Sequence, residues 1–156
     1  MLGGMKMISY EINCDTLALV PLSANETKVI ERNNVFNVRK PVMDIIETSC
    51  EYFGSSYLGR HEGTKKLIGI THKAPIIIEE SKNLIYFPTT SPRLDNCIWI
   101  SLNNIKTYER INGNTELEFT NNQRIKLDIS FGSLDNQVLR ATKLESVLRK
   151  RINATD

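Results

Sequence analysis

The sequence has few residues of the kinds that build metal centres or disulfide frameworks. Its 156 residues include three cysteines and two histidines. Cys14, Cys50 and Cys97 lie far apart and form no Cys-x-x-Cys pair, so the sequence favours neither a disulfide framework nor a zinc site. Such cysteine usage is typical of a reducing compartment, and we expect a cytoplasmic protein without metal or cofactor.

Long apolar runs and catalytic groupings are also missing. No apolar run approaches the length that spans a bilayer, and residues 1–10 lack the charged-then-apolar order of a signal peptide. The carboxylates show no paired catalytic motif, and no serine has a fitting base. We therefore expect a protein that neither spans a membrane nor acts as an enzyme.

The segment 53–60 contains two glycines five positions apart, followed by a cation. A P-loop would need lysine where Arg60 stands, with a strand before it and a helix after it. Ser56 lacks the glycine two positions later that a nucleophile elbow requires. We interpret Gly54 as the left-handed end of a helix and Gly59 as a turn residue. The loop either places backbone N–H groups near a phosphate or simply turns the chain.

Helical periodicity predicts two helices, over about 41–53 and about 134–152. Pro41 suits the first position of a helix. Ser133 suits the cap of the last helix, whose apolar stripe would pack on a sheet while its cations face outward. Trp99 is interpreted as a core residue, with a base-stacking platform as the alternative.

The other apolar runs are predicted as strands. They cover residues 7–13, 16–22, 28–32, 35–38, 65–71, 75–79, 84–87, 97–101, 105–111, 115–120 and 124–129. We predict an α+β fold in a single domain, 1–156. It would be mostly antiparallel β-sheet, a sandwich or partly open barrel, with one internal helix and a C-terminal amphipathic helix. This plan resembles pleckstrin-homology-like sandwiches, which indicates architecture and not function.

Positive charge is concentrated in two segments. Residues 60–73 carry a net charge of +3 and residues 139–151 carry +4, so the rest of the chain carries −5 against a total of +2. An anion-binding face on a nearly neutral protein would have this distribution, and so would two ordinary solvated surfaces.

Several short motifs, in the same order along the chain, resemble the competence transcription factor family, ComK. The resemblance covers about Ser9 to Ile152. Its motifs are Phe53-Gly54-Ser55-Ser56-Tyr57, Gly59-Arg60, Gly63-Thr64, His72-Lys73, Pro75-Ile76, Phe87-Pro88-Thr89, Cys97, Trp99-Ile100-Ser101, Ile129-Ser130, Asn136-Gln137-Val138 and Arg140.

The resemblance implies a cytoplasmic bacterial activator of DNA-uptake genes. Such proteins bind paired AT-rich boxes in double-stranded DNA as homo-oligomers, largely through the minor groove. A narrow, negative minor groove attracts inserted cations. The first candidates for DNA contact are Arg60, Lys65, Lys66, His72, Lys73 and Arg93. Arg140, Lys143 and Lys150 are candidates for contact with phosphates.

Two alternatives remain open from the sequence. A pleckstrin-homology-like module would use the same cations for an acidic protein or lipid partner, without DNA specificity. Longer members of the family also have a tail that engages an adaptor and a protease. This sequence ends at Asp156, so we expect that control to be reduced, as in a short paralogue or a truncated copy.

Overall fold

A computed structural model describes residues 6–154 of the chain, which contain ten strands and three α-helices. The strands are β1 Lys6–Met7, β2 Thr16–Ser23, β3 Glu26–Glu31, β4 Val35–Val38, β5 Ile76–Glu79, β6 Leu84–Pro88, β7 Trp99–Ser101, β8 Ile105–Ile111, β9 Asn114–Phe119 and β10 Arg124–Leu127. The helices are α1 Val42–Tyr52, α2 Tyr57–Ile68 and α3 Phe131–Ile152.

The strands form two open sheets. The larger sheet has the order β1-β4-β3-β2-β7-β6-β5, antiparallel except for the β1–β4 pair, and the smaller sheet is the meander β10-β9-β8. Asn112 and Gly113 both adopt positive φ at the β8–β9 turn, as a tight hairpin requires. The predicted α+β fold with antiparallel sheets and a C-terminal helix is therefore confirmed, and the described residues form no closed barrel.

The larger sheet separates two apolar clusters because its residues alternate between faces. Ile76 and Ile78 point to the side covered by α1, whereas Ile77 points to the side covered by α3 and the smaller sheet. Trp99 is fully buried in the α1-side cluster, so its interpretation as a core residue is confirmed.

The sequence predicted one internal helix, and the described chain has two. The strand predicted at 65–71 is wrong, because its first half belongs to α2. Gly59 likewise lies within this helix instead of a turn, and its N–H donates to the Ser56 side chain, which caps the helix. The helix was missed because it crosses a sheet edge. Tyr57 packs on the α1-side cluster, whereas Leu67 packs on the α3-side cluster, so no single apolar face marks the sequence.

Other boundaries also differ from the predictions. Only Met7 of the predicted strand 7–13 lies in a strand; further along, the Ile12 N–H donates to the Ser49 hydroxyl of α1 at 2.9 Å. α3 begins three residues earlier than expected, because Ser130 is its cap. The left-handed Gly54 is confirmed, with φ +84° two residues after the end of α1.

α2 covers β5, which is the last strand of the larger sheet. The Thr64 hydroxyl donates to the Pro75 carbonyl at 2.6 Å, just before that strand begins. Covering an edge in this way blocks pairing with another chain, and it fixes α2 beside the 71–74 turn. Within residues 6–154, no helix combines the length and apolarity needed to cross a bilayer.

Candidate nucleic-acid interface

A cleft of about 610 Å³ lies between the start of α2, the 71–74 turn and the 91–93 loop. We call it the basic cleft. Its ionisable side chains other than Tyr57 are His61, His72, Lys73 and Arg93, and no carboxylate lines it among the described residues. Segments that are distant in sequence therefore place two cations, Lys73 and Arg93, around one concave surface. Such an arrangement attracts anions, because the residues that line the cleft include cations and no acid.

The turn that carries Lys73 has an unusual backbone. Lys73 has φ +49°, in the left-handed region of the backbone that residues other than glycine, asparagine and aspartate rarely adopt. Helix α3 holds this turn: Gln137 Nε2 donates to the Lys73 carbonyl at 2.8 Å, and Arg140 Nη1 donates to the His72 carbonyl at 3.1 Å. The two basic segments of the sequence therefore meet at this turn.

His61 belongs to the cleft, although sequence reasoning did not select it. Its Nε2 lies 2.8 Å from the Thr71 carbonyl oxygen, to which it donates, and its ring centroid is 5.9 Å from that of Tyr57. The sequence feature that could have identified His61 is its i, i+4 spacing from Tyr57, which places both residues on one helix face. That signal has meaning only once α2 is known to be a helix.

Lys65 and Lys66 are exposed at the end of α2. Lys65 follows Leu58 and His61 by seven and four residues, so it continues the side of α2 that lines the cleft. Lys66 is two residues after the buried Thr64, so it lies on the side of the helix opposite Thr64. Only Lys65 therefore extends the positive surface directly from the cleft.

Arg60 is placed differently from the other candidates. It is not among the residues that line the cleft, and its guanidinium pairs with Glu80 at 3.0 Å. Only 17% of its side chain is exposed, and its buried Nε has no hydrogen-bond partner. Arg149 of α3 donates to the Glu80 carbonyl at 2.8 Å, so two arginines hold the β5–β6 turn. This geometry gives Arg60 a structural contact away from the cleft.

Lys143 and Lys150 are exposed on α3 and do not line the cleft. They lie three and ten residues after Arg140, which places all three on neighbouring positions of one side of the helix. At 1.5 Å per residue, this row extends about 15 Å from the 71–74 turn. It provides a line of cations that begins where the cleft ends.

Apolar contacts support the cleft from below. The Tyr57 ring meets the buried Trp99 ring edge-on, with centroids 6.3 Å apart. Burial raises the pKa of the Tyr57 hydroxyl, followed by smaller effects of Cys97 and Cys50, so this group is neutral at physiological pH. In the part of the chain that the structure describes, no cluster of three His, Cys, Asp or Glu residues could hold a metal ion.

These observations define a class: an α+β protein with a cationic cleft at one edge of its larger sheet and no acid among the lining residues. The ComK protein family model matches residues 7–153, and the chain belongs to this family. The chain is also 37% identical over 149 residues to the competence transcription factor of Bacillus subtilis strain 168. The match covers 93% of this chain and 78% of that protein. No solved structure matches the chain.

Proposed function

We propose that this chain is a transcription regulator of competence that binds AT-rich double-stranded DNA through the basic cleft. Family membership and the likeness to a competence transcription factor support the regulatory role. The observation that carries the DNA site is the convergence of His72, Lys73 and Arg93 on one acid-free concave surface. Such a regulator would work in the bacterial cytoplasm, on the nucleoid.

Charge and shape together favour a nucleic-acid backbone over a small anion. Lys65 and the row from Arg140 to Lys150 extend the cations well beyond the cleft, as contact with successive phosphates requires. Arg93 lies on an exposed loop at the cleft rim. An arginine in this position suits insertion into the narrow minor groove of AT-rich DNA.

The site is tested by measuring affinity for AT-rich and GC-rich duplexes over a range of salt concentrations. For wild-type protein we expect tighter binding to AT-rich DNA, with log K falling linearly with log salt. The double variant Lys73→Asn/Arg93→Gln should reduce the slope by about 1.8, because each cation lost from the interface leaves about one phosphate charge unneutralised and removes about 0.9. The matched control Lys126→Gln removes an exposed lysine of the smaller sheet and should leave the slope unchanged.

Groove choice is tested by replacing A·T pairs with inosine–cytosine pairs. This exchange keeps the minor-groove pattern of A·T and alters the major-groove pattern. Binding should survive the exchange if the minor groove is read, and loss of binding would contradict that part of the proposal. Binding to anionic vesicles, without preference for any duplex, would instead favour the lipid-binding alternative.

The proposal also includes assembly as a homo-oligomer on paired boxes. Light scattering of the protein with one-box and two-box duplexes should show more than one chain on the longer DNA.

A further inference from the structure

We infer that Gln137 is the positioning residue of the basic cleft: its amide fixes the two cation-bearing walls relative to each other. This inference rests on the proposed function for its consequence in DNA binding. Its structural part concerns the free protein and can be tested without DNA.

Gln137 is fully buried on α3, which is unusual for a glutamine. Nε2 donates one hydrogen to the Lys73 carbonyl at 2.8 Å and the other to the Pro88 carbonyl at 2.7 Å. Its Oε1 accepts from Arg140 Nη1 at 3.3 Å. Because carbonyls only accept and a guanidinium only donates, the orientation of the amide is unambiguous.

The two acceptors belong to different walls of the cleft. Lys73 is in the 71–74 turn, and Pro88 ends β6 and begins the stretch that reaches Arg93 five residues later. Two hydrogen bonds between Thr89 and Ile98 then hold the base of this loop: the Thr89 N–H donates to the Ile98 carbonyl at 2.8 Å, and the Ile98 N–H donates to the Thr89 hydroxyl at 3.1 Å. A single amide therefore joins the walls that carry Lys73 and Arg93.

The 71–74 turn needs such support. Lys73 is in a left-handed conformation that is unfavourable for a lysine and persists only where the surroundings impose it. Without the bond from Gln137, the turn can relax toward ordinary φ, and the Lys73 side chain then leaves its position opposite Arg93. We expect Lys73 and Arg93 to lose their fixed relative positions, while the fold itself stays intact.

The test compares Gln137→Met with the matched control Asn104→Leu. Methionine keeps the length of the buried side chain and removes both donors. Asn104 is also buried, and it donates to Ser101 away from the cleft at 2.8 Å. Both variants should lose stability, but only Gln137→Met should speed amide hydrogen exchange in 71–74 and 89–93 of the free protein.

On AT-rich duplex, Gln137→Met should also lower the slope of log K against log salt by about 1 to 2, the value for one or two lost phosphate contacts. It should cause no further change in the Lys73→Asn/Arg93→Gln background. Asn104→Leu should leave the slope unchanged.

Unchanged exchange in both segments of Gln137→Met would overturn the inference, as would equal slope changes in the two variants. Should Gln137→Met fail to fold, Gln137→Asn serves instead. Its shorter amide reaches only one carbonyl and should release only one of the two segments; release of neither overturns the inference. A wild-type protein that binds no duplex would defeat the proposed function, and the exchange measurement would still decide the role of Gln137.

Discussion

Lys73 shows how a single residue can conflict with its local backbone preference at a candidate site. Three other residues besides glycine have positive φ in the described chain, and all are asparagines, which tolerate this region. Lys73 is the exception, and it lines the basic cleft. Such conflicts tend to occur at functional sites, where the surrounding structure compensates for them.

The variant Lys73→Asn separates the two roles of this residue. Asparagine suits the left-handed backbone, so the free energy of unfolding should stay within about 0.5 kcal/mol of wild type or rise. The lost charge should reduce the salt slope of DNA binding by about 0.9. Urea denaturation and fluorescence anisotropy measure the two quantities. A large loss of stability would show that the lysine side chain is needed for folding.

The three cysteines should differ in reactivity. Cys14 is exposed, whereas Cys50 and Cys97 are buried. Burial raises the pKa of Cys50 to about 12 and also raises the pKa of Cys97, so neither forms the reactive thiolate near pH 8. A disulfide reagent at pH 8 should titrate one thiol in native protein and three in urea. Rapid reaction of two or more native thiols would contradict the burial of these side chains.

At the scale of elements, α2 determines where the cleft lies. Its first turn packs on one side of the larger sheet and its last turn on the other, so the helix wraps the β5 edge. The same helix holds one wall of the cleft through His61. A helix with this position needs small and polar residues along much of its length, which is why its sequence resembles a loop followed by a strand.

The helix caps give a prediction at this scale. The Ser130 hydroxyl accepts from the Ser133 N–H at 3.1 Å at the start of α3. Ser130→Ala should therefore lower the free energy of unfolding by about 1 kcal/mol, since the first turn of α3 loses its side-chain cap. Ser133→Ala removes only a side-chain contact and should cost less. The reverse order in urea denaturation would support the cap predicted from the sequence.

For the whole molecule, the larger sheet is shared by both apolar clusters. Neighbouring residues such as Ile76 and Ile77 face opposite clusters, so neither cluster can be lost while the sheet remains intact. We predict that the chain forms one domain and unfolds in one cooperative transition. Trp99 fluorescence, which reports the α1 side, should change together with far-UV circular dichroism in urea. Separate midpoints would contradict the one-domain prediction.

The sequence by itself determined the elements whose signal is local. The meander from β8 to β10 follows from alternating residues and the Asn112-Gly113 turn, and Gly54 after α1 follows from its need for positive φ. The concentration of charge in two segments was also visible, as was the resemblance that family membership confirms.

Only the tertiary structure decided which cations meet. Local patterns treated Arg60 and Lys73 alike, yet Arg60 pairs with Glu80, whereas Lys73 joins Arg93 in a cleft. Gln137 belongs to a motif of the family resemblance, but the motif gave it no role, because its two acceptors lie 49 and 64 residues away. The physical reason is that charge and hydrogen-bond partners are set by distance in space, and a short window of sequence contains only near neighbours along the chain.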